Sequence, residues 1–124
     1  MMDNLNTIIN DIIKSLDDVL LKPEFVNKKN KNKLTGHCYV ATEALYYLLD
    51  ETQRNNYTPA ILKINNTTHW FLKNKINGEI IDITKEQFNF KLDYSKAINK
   101  GFLTNYPSKR TKILLSRIYE KNCY

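Results

Sequence analysis

A chain of 124 residues has the length of one domain and enough residues to bury a real core. Hydrophobic side chains make up 42% of it, which argues against a disordered chain, and the formal charge of +6, from 19 basic and 13 acidic residues, suits an anionic partner without demanding one. No apolar run approaches membrane-spanning length and no charged-then-apolar leader precedes a small-residue cleavage site, so a cytoplasmic protein with no membrane partner is expected. The two cysteines, Cys38 and Cys123, do not form a disulfide framework, which fits a reducing compartment.

In chain order, the first element is an amphipathic helix over residues 4–21. Leu5, Ile8, Ile9, Ile12, Ile13, Leu16, Val19 and Leu20 line one face, Asp11, Asp17 and Asp18 the other, and Pro23 ends it. Its acidic polar side argues for scaffold rather than a membrane surface. Residues 27–33 contain no apolar side chain and read as a solvated loop; its four lysines could meet a phosphate or an acidic segment.

The chain is organised around residues 36–49. Gly36 breaks into a helix with Cys38 in its first turn and Thr35 as N-cap. Val40, Ala41, Ala44, Leu45 and Leu48 fall at helical spacing and give a buried stripe. The amide groups and positive dipole end at a helix mouth favour a thiolate over a thiol and can bind an oxyanion. A small buried hydrophobe is the competing reading of Cys38.

A polar break over 50–56 leads to three strands: Pro59 to Ile64, Thr68 to Leu72 and Glu79 to Ile83. Parity puts His69 and Phe71 on one face with Ile80 and Asp82, and Trp70 and Leu72 on the other with Ile81 and Ile83, so both faces should be covered. A two-residue Asn77-Gly78 hairpin would set His69 against Glu86 and Asp82 against Lys73; a four-residue loop over Asn74 to Asn77 would set His69 directly opposite Asp82. The second register is expected, because a buried Asp needs a partner. Thr84 and Gln87 read as a capping box for a short helix carrying Phe88. Residues 89–107 read as irregular, anchored by Tyr94, Ala97, Phe102 and Leu103. A last helix runs from Pro107-Ser108 to about Lys121, with Leu114, Leu115 and Ile118 inward and Lys109, Arg110, Lys112 and Arg117 making its outside basic. No internal repeat or domain boundary divides residues 1–124.

The order of Gly36-His37-Cys38 at a helix start, His69-Trp70-Phe71 on a strand and Ile81-Asp82-Ile83-Thr84 on the next resembles the papain-like superfamily, and within it the transglutaminase-like branch. The resemblance covers roughly residues 34–88; the stretch from Gly101 to Arg110 also resembles small bacterial and phage proteins with this Cys-His-Asp pattern. It implies an α+β fold in which an N-terminal helix and the cysteine-bearing helix pack on a small antiparallel sheet and a C-terminal helix follows. It implies Cys38 as nucleophile, His69 as base and Asp82 as the group orienting the imidazole, with His37, Trp70, Lys109 and Arg110 as substrate contacts. The chain lacks the extra domains of most family enzymes and an upstream Gln for an oxyanion hole, for which Asn30, Asn32 or His37 would have to substitute.

Such a triad would make the chain a cysteine-dependent peptidase, amidase or acyl transferase needing no cofactor and acting on a protein or peptide. Taken singly, His69 also reads as a core histidine and Asp82 as a cap or turn residue. Zinc held by Cys38, His37, His69 and Asp82 lacks any ligand pair at zinc-site spacing. A binding module of another class stays open: a basic surface of residues 28–33 and 109–121 for nucleic acid or an acidic protein, on an inactive relative of the fold.

Overall fold

The structure, a computed structural model, describes residues 4–17, 20–21, 37–65 and 67–121. Among the described residues, four α-helices and a four-stranded antiparallel sheet make an α+β architecture: α1 Asn4–Ser15, α2 Cys38–Leu48, α3 Glu51–Arg54, β1 Tyr57–Ile64, β2 Thr67–Asn74, β3 Ile80–Ile81, β4 Ile98–Asn99 and α4 Lys109–Lys121. The strand order is β3-β2-β1-β4. Among the described residues no helix is long and apolar enough to cross a membrane.

The first helix is shorter than the apolar periodicity suggests. It ends at Ser15, yet Leu16 and Leu20 stay buried, and Leu20 N–H bonds the Asp17 carbonyl. Asp18, Val19, Pro23, the 27–33 loop, Thr35 and Gly36 lie outside the described residues. The segment expected as a polar break contains α3, one turn long, capped where the Asp50 carboxylate accepts from Gln53 N–H at 2.8 Å.

The β1–β2 hairpin pairs Ile64 with Thr67, and Asn65 takes φ +48°, the left-handed region that asparagine tolerates. The next turn has a register that differs from both sequence expectations. Leu72 pairs with Ile81 and Lys73 with Ile80, so four residues, Lys75 to Gly78, make the turn. Asn74 decides this. Its carboxamide oxygen accepts from the N–H groups of Ile76 and Asn77, Gly78 N–H bonds its carbonyl, and its own N–H reaches Glu79 O at 2.8 Å. Gly78 closes the turn at φ +77°. Carried forward, this register sets Asp82 across from Phe71 and diagonal to His69, on the same face.

The two faces of the sheet are covered differently. Leu72, Ile83 and the half-buried Ile81 meet Ile12, Leu16, Ala41, Leu45, Leu114 and Ile118 from three helices. On the other face Ala60, Leu62 and Phe71 meet Leu92, with Phe88, Tyr94 and Ala97 against them. That cover is the segment expected as irregular. It holds a tight turn at Tyr94–Lys96, capped by Asp93, and the short β4, which pairs Ala60 with Asn99 and Ile61 with Ile98. Ile98 is 60% exposed, so β4 carries no alternating pattern to announce it.

The C-terminal helix packs Leu114, Leu115 and Ile118 inward as its spacing predicts. Arg117 is not simply part of a basic exterior: it bonds Ser15 O at 3.0 Å and Asp17 at 3.1 Å, tying α4 to the end of α1. Glu43, fully buried on α2, accepts from Ser108 N–H (2.9 Å), Thr111 Oγ1–H (2.7 Å) and Tyr39 Oη–H (3.3 Å). A carboxylate at the start of α4 satisfies amide groups that the helix itself leaves without acceptors, and it locks α2 against α4.

Candidate active site

Cys38 is the first residue of α2, as expected, and the residue preceding the helix is His37, whose main-chain carbonyl takes the first turn's bond from Ala41 N–H at 2.9 Å. The His37 side chain is buried and does not cap the helix. Helix α2 is held on β2 by packing and by Thr42 Oγ1–H on Trp70 O at 3.1 Å. Because β3 pairs with β2 only at Leu72 and Lys73, the Thr68–His69 end of β2 is left for the helix mouth. The Cys38 Sγ lies 3.7 Å from the Thr68 carbonyl oxygen. A strand carbonyl lies in the plane of its sheet, so the thiol reaches β2 from its edge. From there it is close enough to act on the His69 proton, although α2 covers the face opposite His69.

His69 stands on β2 with 1% of its side chain exposed, and so does the Asp82 carboxylate. His69 Nε2 and Asp82 Oδ2 are 2.6 Å apart, a short charge-assisted bond. Asp82 Oδ2 also accepts from Tyr94 Oη–H at 2.7 Å, while its other oxygen is buried with no hydrogen-bond partner among the described residues. At the opposite edge of the ring, Nδ1 lies 3.2 Å from Gln87 Nε2. The Phe88 ring stands edge-on to the imidazole at 4.9 Å, and Phe71 lies beneath it at 5.8 Å.

Burial is the largest influence on the His69 proton and disfavours the charged ring. The hydrogen bond and charge of Asp82, together with the hydrogen bond and charge of Cys38, outweigh it and raise the pKa from 6.5 to about 9. With Nε2 engaged by Asp82, Cys38 is left the Nδ1 edge. Burial likewise pushes the Tyr94 hydroxyl up, reinforced by Asp82, so Tyr94 stays a donor to that carboxylate. Burial does the same to Tyr39, up to about 12.

Three of the residues singled out in the sequence, Cys38, His69 and Asp82, are thus brought together. Of the expected substrate contacts, His37 directly precedes Cys38 and is buried. Strand parity turns Trp70 to the helix face, where it is buried edge-on to Tyr39 and stacked with Phe102. Lys109 and Arg110 sit in the first turn of α4, next to Ser108, whose N–H bonds Glu43. The Thr84-Gln87 capping box does not form: the Thr84 hydroxyl makes no capping bond, Gln87 N–H bonds the Thr84 carbonyl, and the Gln87 side chain goes to His69. Gln87 and Tyr94 are the site neighbours that sequence reasoning missed. A Thr-x-x-Gln pattern after a strand signals a cap, and nothing local marks Tyr94 as a partner of Asp82.

A groove of about 520 Å³ opens beyond this cover, lined by Lys85, Phe88, Phe90, Lys91, Leu92 and Tyr94. Its inner walls, Phe88 and Tyr94, are the side chains that touch His69 and Asp82. Among the described residues no group of three His, Cys, Asp or Glu side chains is placed to hold a metal ion. The arrangement as it stands offers a sulfur nucleophile at a helix mouth, an imidazole beside it and a buried carboxylate behind the imidazole. No protein-family model, curated protein or solved structure matches this chain.

Proposed function

We propose that this protein is a cysteine-dependent acyl hydrolase or acyl transferase on a papain-like, transglutaminase-like core, acting on a protein or peptide through Cys38, His69 and Asp82. One observation carries the reading. A buried imidazole is held by a buried carboxylate at 2.6 Å on Nε2, while the cysteine at a helix N-terminus has its Sγ 3.7 Å from the carbonyl oxygen of Thr68, the residue before that histidine. A core histidine needs a partner, but it does not need a thiol on one side and a carboxylate on the other.

In this chemistry the Cys38 thiolate attacks the acyl carbon, and a sulfur–carbon bond forms as the carbonyl becomes an oxyanion. The amide N–H groups that the first turn of a helix leaves without acceptors are the donors available to that charge. The intermediate collapses, the bond to the leaving group breaks, and the departing nitrogen or oxygen takes the proton from His69 Nδ1. The thioester on Cys38 is then attacked by water, giving hydrolysis, or by an amine, giving transfer. The attacking atom passes its proton to Nδ1 and the sulfur leaves as thiolate. Asp82 keeps the Nε2–H tautomer, so that Nδ1 is the nitrogen that exchanges protons.

The test uses p-nitrophenyl acetate as a general acyl donor. Release of nitrophenolate with an acetyl group mapped to Cys38 is expected, lost in Cys38→Ala and strongly reduced in His69→Ala. A protein that stays folded, yet gains no acetyl group at Cys38, contradicts the reading.

A further inference from the structure

The ring nitrogen that Asp82 does not engage has a neighbour of its own. Gln87 Nε2 lies 3.2 Å from His69 Nδ1, and His69 Nε2 is committed to Asp82 at 2.6 Å. The carboxamide sits in the short turn Lys85–Gln87, directly after Asp82-Ile83-Thr84, so the strand that delivers Asp82 also delivers Gln87 to the other edge of the ring. The charged and titratable groups facing His69 are Cys38 from α2 and Asp82 after β3, with Tyr94 behind Asp82. Phe71 and Phe88 supply the remaining walls.

We infer that Gln87 is a positioning residue that stabilises the neutral His69 ring, the form that must accept a proton when the acyl group leaves Cys38. This rests on the acyl-transfer reading above. In the neutral ring Nδ1 is bare and accepts from the Gln87 amide. In the imidazolium Nδ1 carries a proton, and the same amide N–H has nothing to donate to. The bond therefore favours the neutral form and opposes Asp82 and Cys38, which favour the charged one.

The balance matters at different moments. Before attack, the thiolate and imidazolium stabilise one another. Once the sulfur is acylated its charge is gone, Cys38 no longer holds Nδ1, and the ring has given its proton to the leaving group. Gln87 then keeps the bare nitrogen in place and unprotonated until water or an amine approaches. The incoming nucleophile gives its proton to Nδ1, its oxygen or nitrogen bonds the acyl carbon, and the carbon–sulfur bond breaks.

The acyl-enzyme stage has a stable stand-in: the protein carbamidomethylated at Cys38 with iodoacetamide, in which the sulfur is likewise uncharged. Histidine titration by NMR on that adduct reads His69 with the thiolate removed. Gln87→Met keeps the side-chain volume and removes the donor, and the His69 midpoint should rise by about half to one pH unit, the size of one modest hydrogen bond. Gln87→Glu places a carboxylate at the same point and should raise it further. The expected order is wild type, then Met, then Glu. In p-nitrophenyl acetate turnover both variants should retain the acylation burst and lose steady-state rate at neutral pH, about threefold to tenfold for Met by the same conversion. A Met variant that melts earlier but titrates at the wild-type midpoint marks Gln87 as a packing residue and overturns the proposal. An unmoved midpoint in an enzyme that still acylates at Cys38 removes the role of Gln87 alone. Absence of acylation in the wild type removes the acyl-transfer reading and this role with it.

Discussion

The two faces of one small sheet are built on different terms. On the helix side, aliphatic residues from α1, α2 and α4 close over Leu72, Ile81 and Ile83, and the polar groups there are tied off by Glu43 and Thr42. On the other side, aromatic rings from a nearly irregular segment close over a buried His–Asp pair. The helix side is ordered by periodic burial and tolerates no gap. The loop side holds groups that water would otherwise solvate, and that a purely structural cover would not need. Stability is therefore expected to reside on the first face and chemistry on the second.

Core truncation separates the two most strongly. Leu45→Ala removes a fully buried side chain beneath α2 and is expected to cost about 2–5 kcal/mol, read as a lower urea midpoint. Activity of the folded fraction should stay near wild type. Ile81→Ala, at a half-buried position, should cost less, about 1–2 kcal/mol. Equal losses at the two sites would mean that the helix-side core extends evenly to the edge strand, against the packing described.

The loop side should show itself through pH. His69 is raised in the folded protein to about 9 from an ordinary 6.5. A group whose pKa is raised on folding contributes stability in full below its unfolded value and loses it as pH climbs through the folded one. Stability should thus decline between about pH 6.5 and 9, by on the order of 3 kcal/mol for a shift of this size. His69→Gln should flatten that decline. Urea unfolding at several pH values in both proteins checks it, and parallel curves would mean that the imidazole gains no charge stabilisation on folding.

Asp82→Asn probes the same face at constant shape. The amide keeps one hydrogen bond to the ring but cannot stabilise an imidazolium and can select the wrong tautomer. The equivalent change costs about 10⁴ in turnover in a serine triad, and a clear but smaller loss is expected here, because a thiol and an imidazole can exchange their proton before the attack. Near neutral pH the melting temperature should fall by the share of the His69 charge stabilisation that Asp82 supplies, and turnover of the folded fraction should fall far more. A strong fall in melting temperature with turnover of the folded fraction intact would make Asp82 a structural residue.

The helix side was the more legible in the sequence. The spacing of Val40, Ala41, Ala44 and Leu45, and of Leu114, Leu115 and Ile118, fixes which sides turn inward, because a 3.6-residue period survives without knowledge of the partner. Strand parity likewise separates His69 and Phe71 from Trp70 and Leu72. Register was not legible: the side chain of Asn74, rather than the favoured chemistry of Asn77-Gly78, closes the turn, and both register expectations missed the outcome by two residues, in opposite directions. Nor was the cover over His69. Tyr94 reaches Asp82 from a stretch with no period, β4 is two residues long, and Gln87 follows a capping pattern whose side chain finds a ring nitrogen instead. Trp70, drawn toward the site by its neighbour His69, belongs to the opposite face by the parity that places His69.

The central claim is that Cys38 and His69 act as one unit, and the rate of Cys38 alkylation by iodoacetamide as a function of pH tests it most directly. The expected result is a reaction that persists near and below neutrality, faster than that of a free thiol of ordinary pKa of about 8.5, and that falls in His69→Ala to the profile of an ordinary thiol. An ordinary profile in the wild type, unchanged by His69→Ala, would contradict the account and leave Cys38 an idle cysteine at the mouth of a helix.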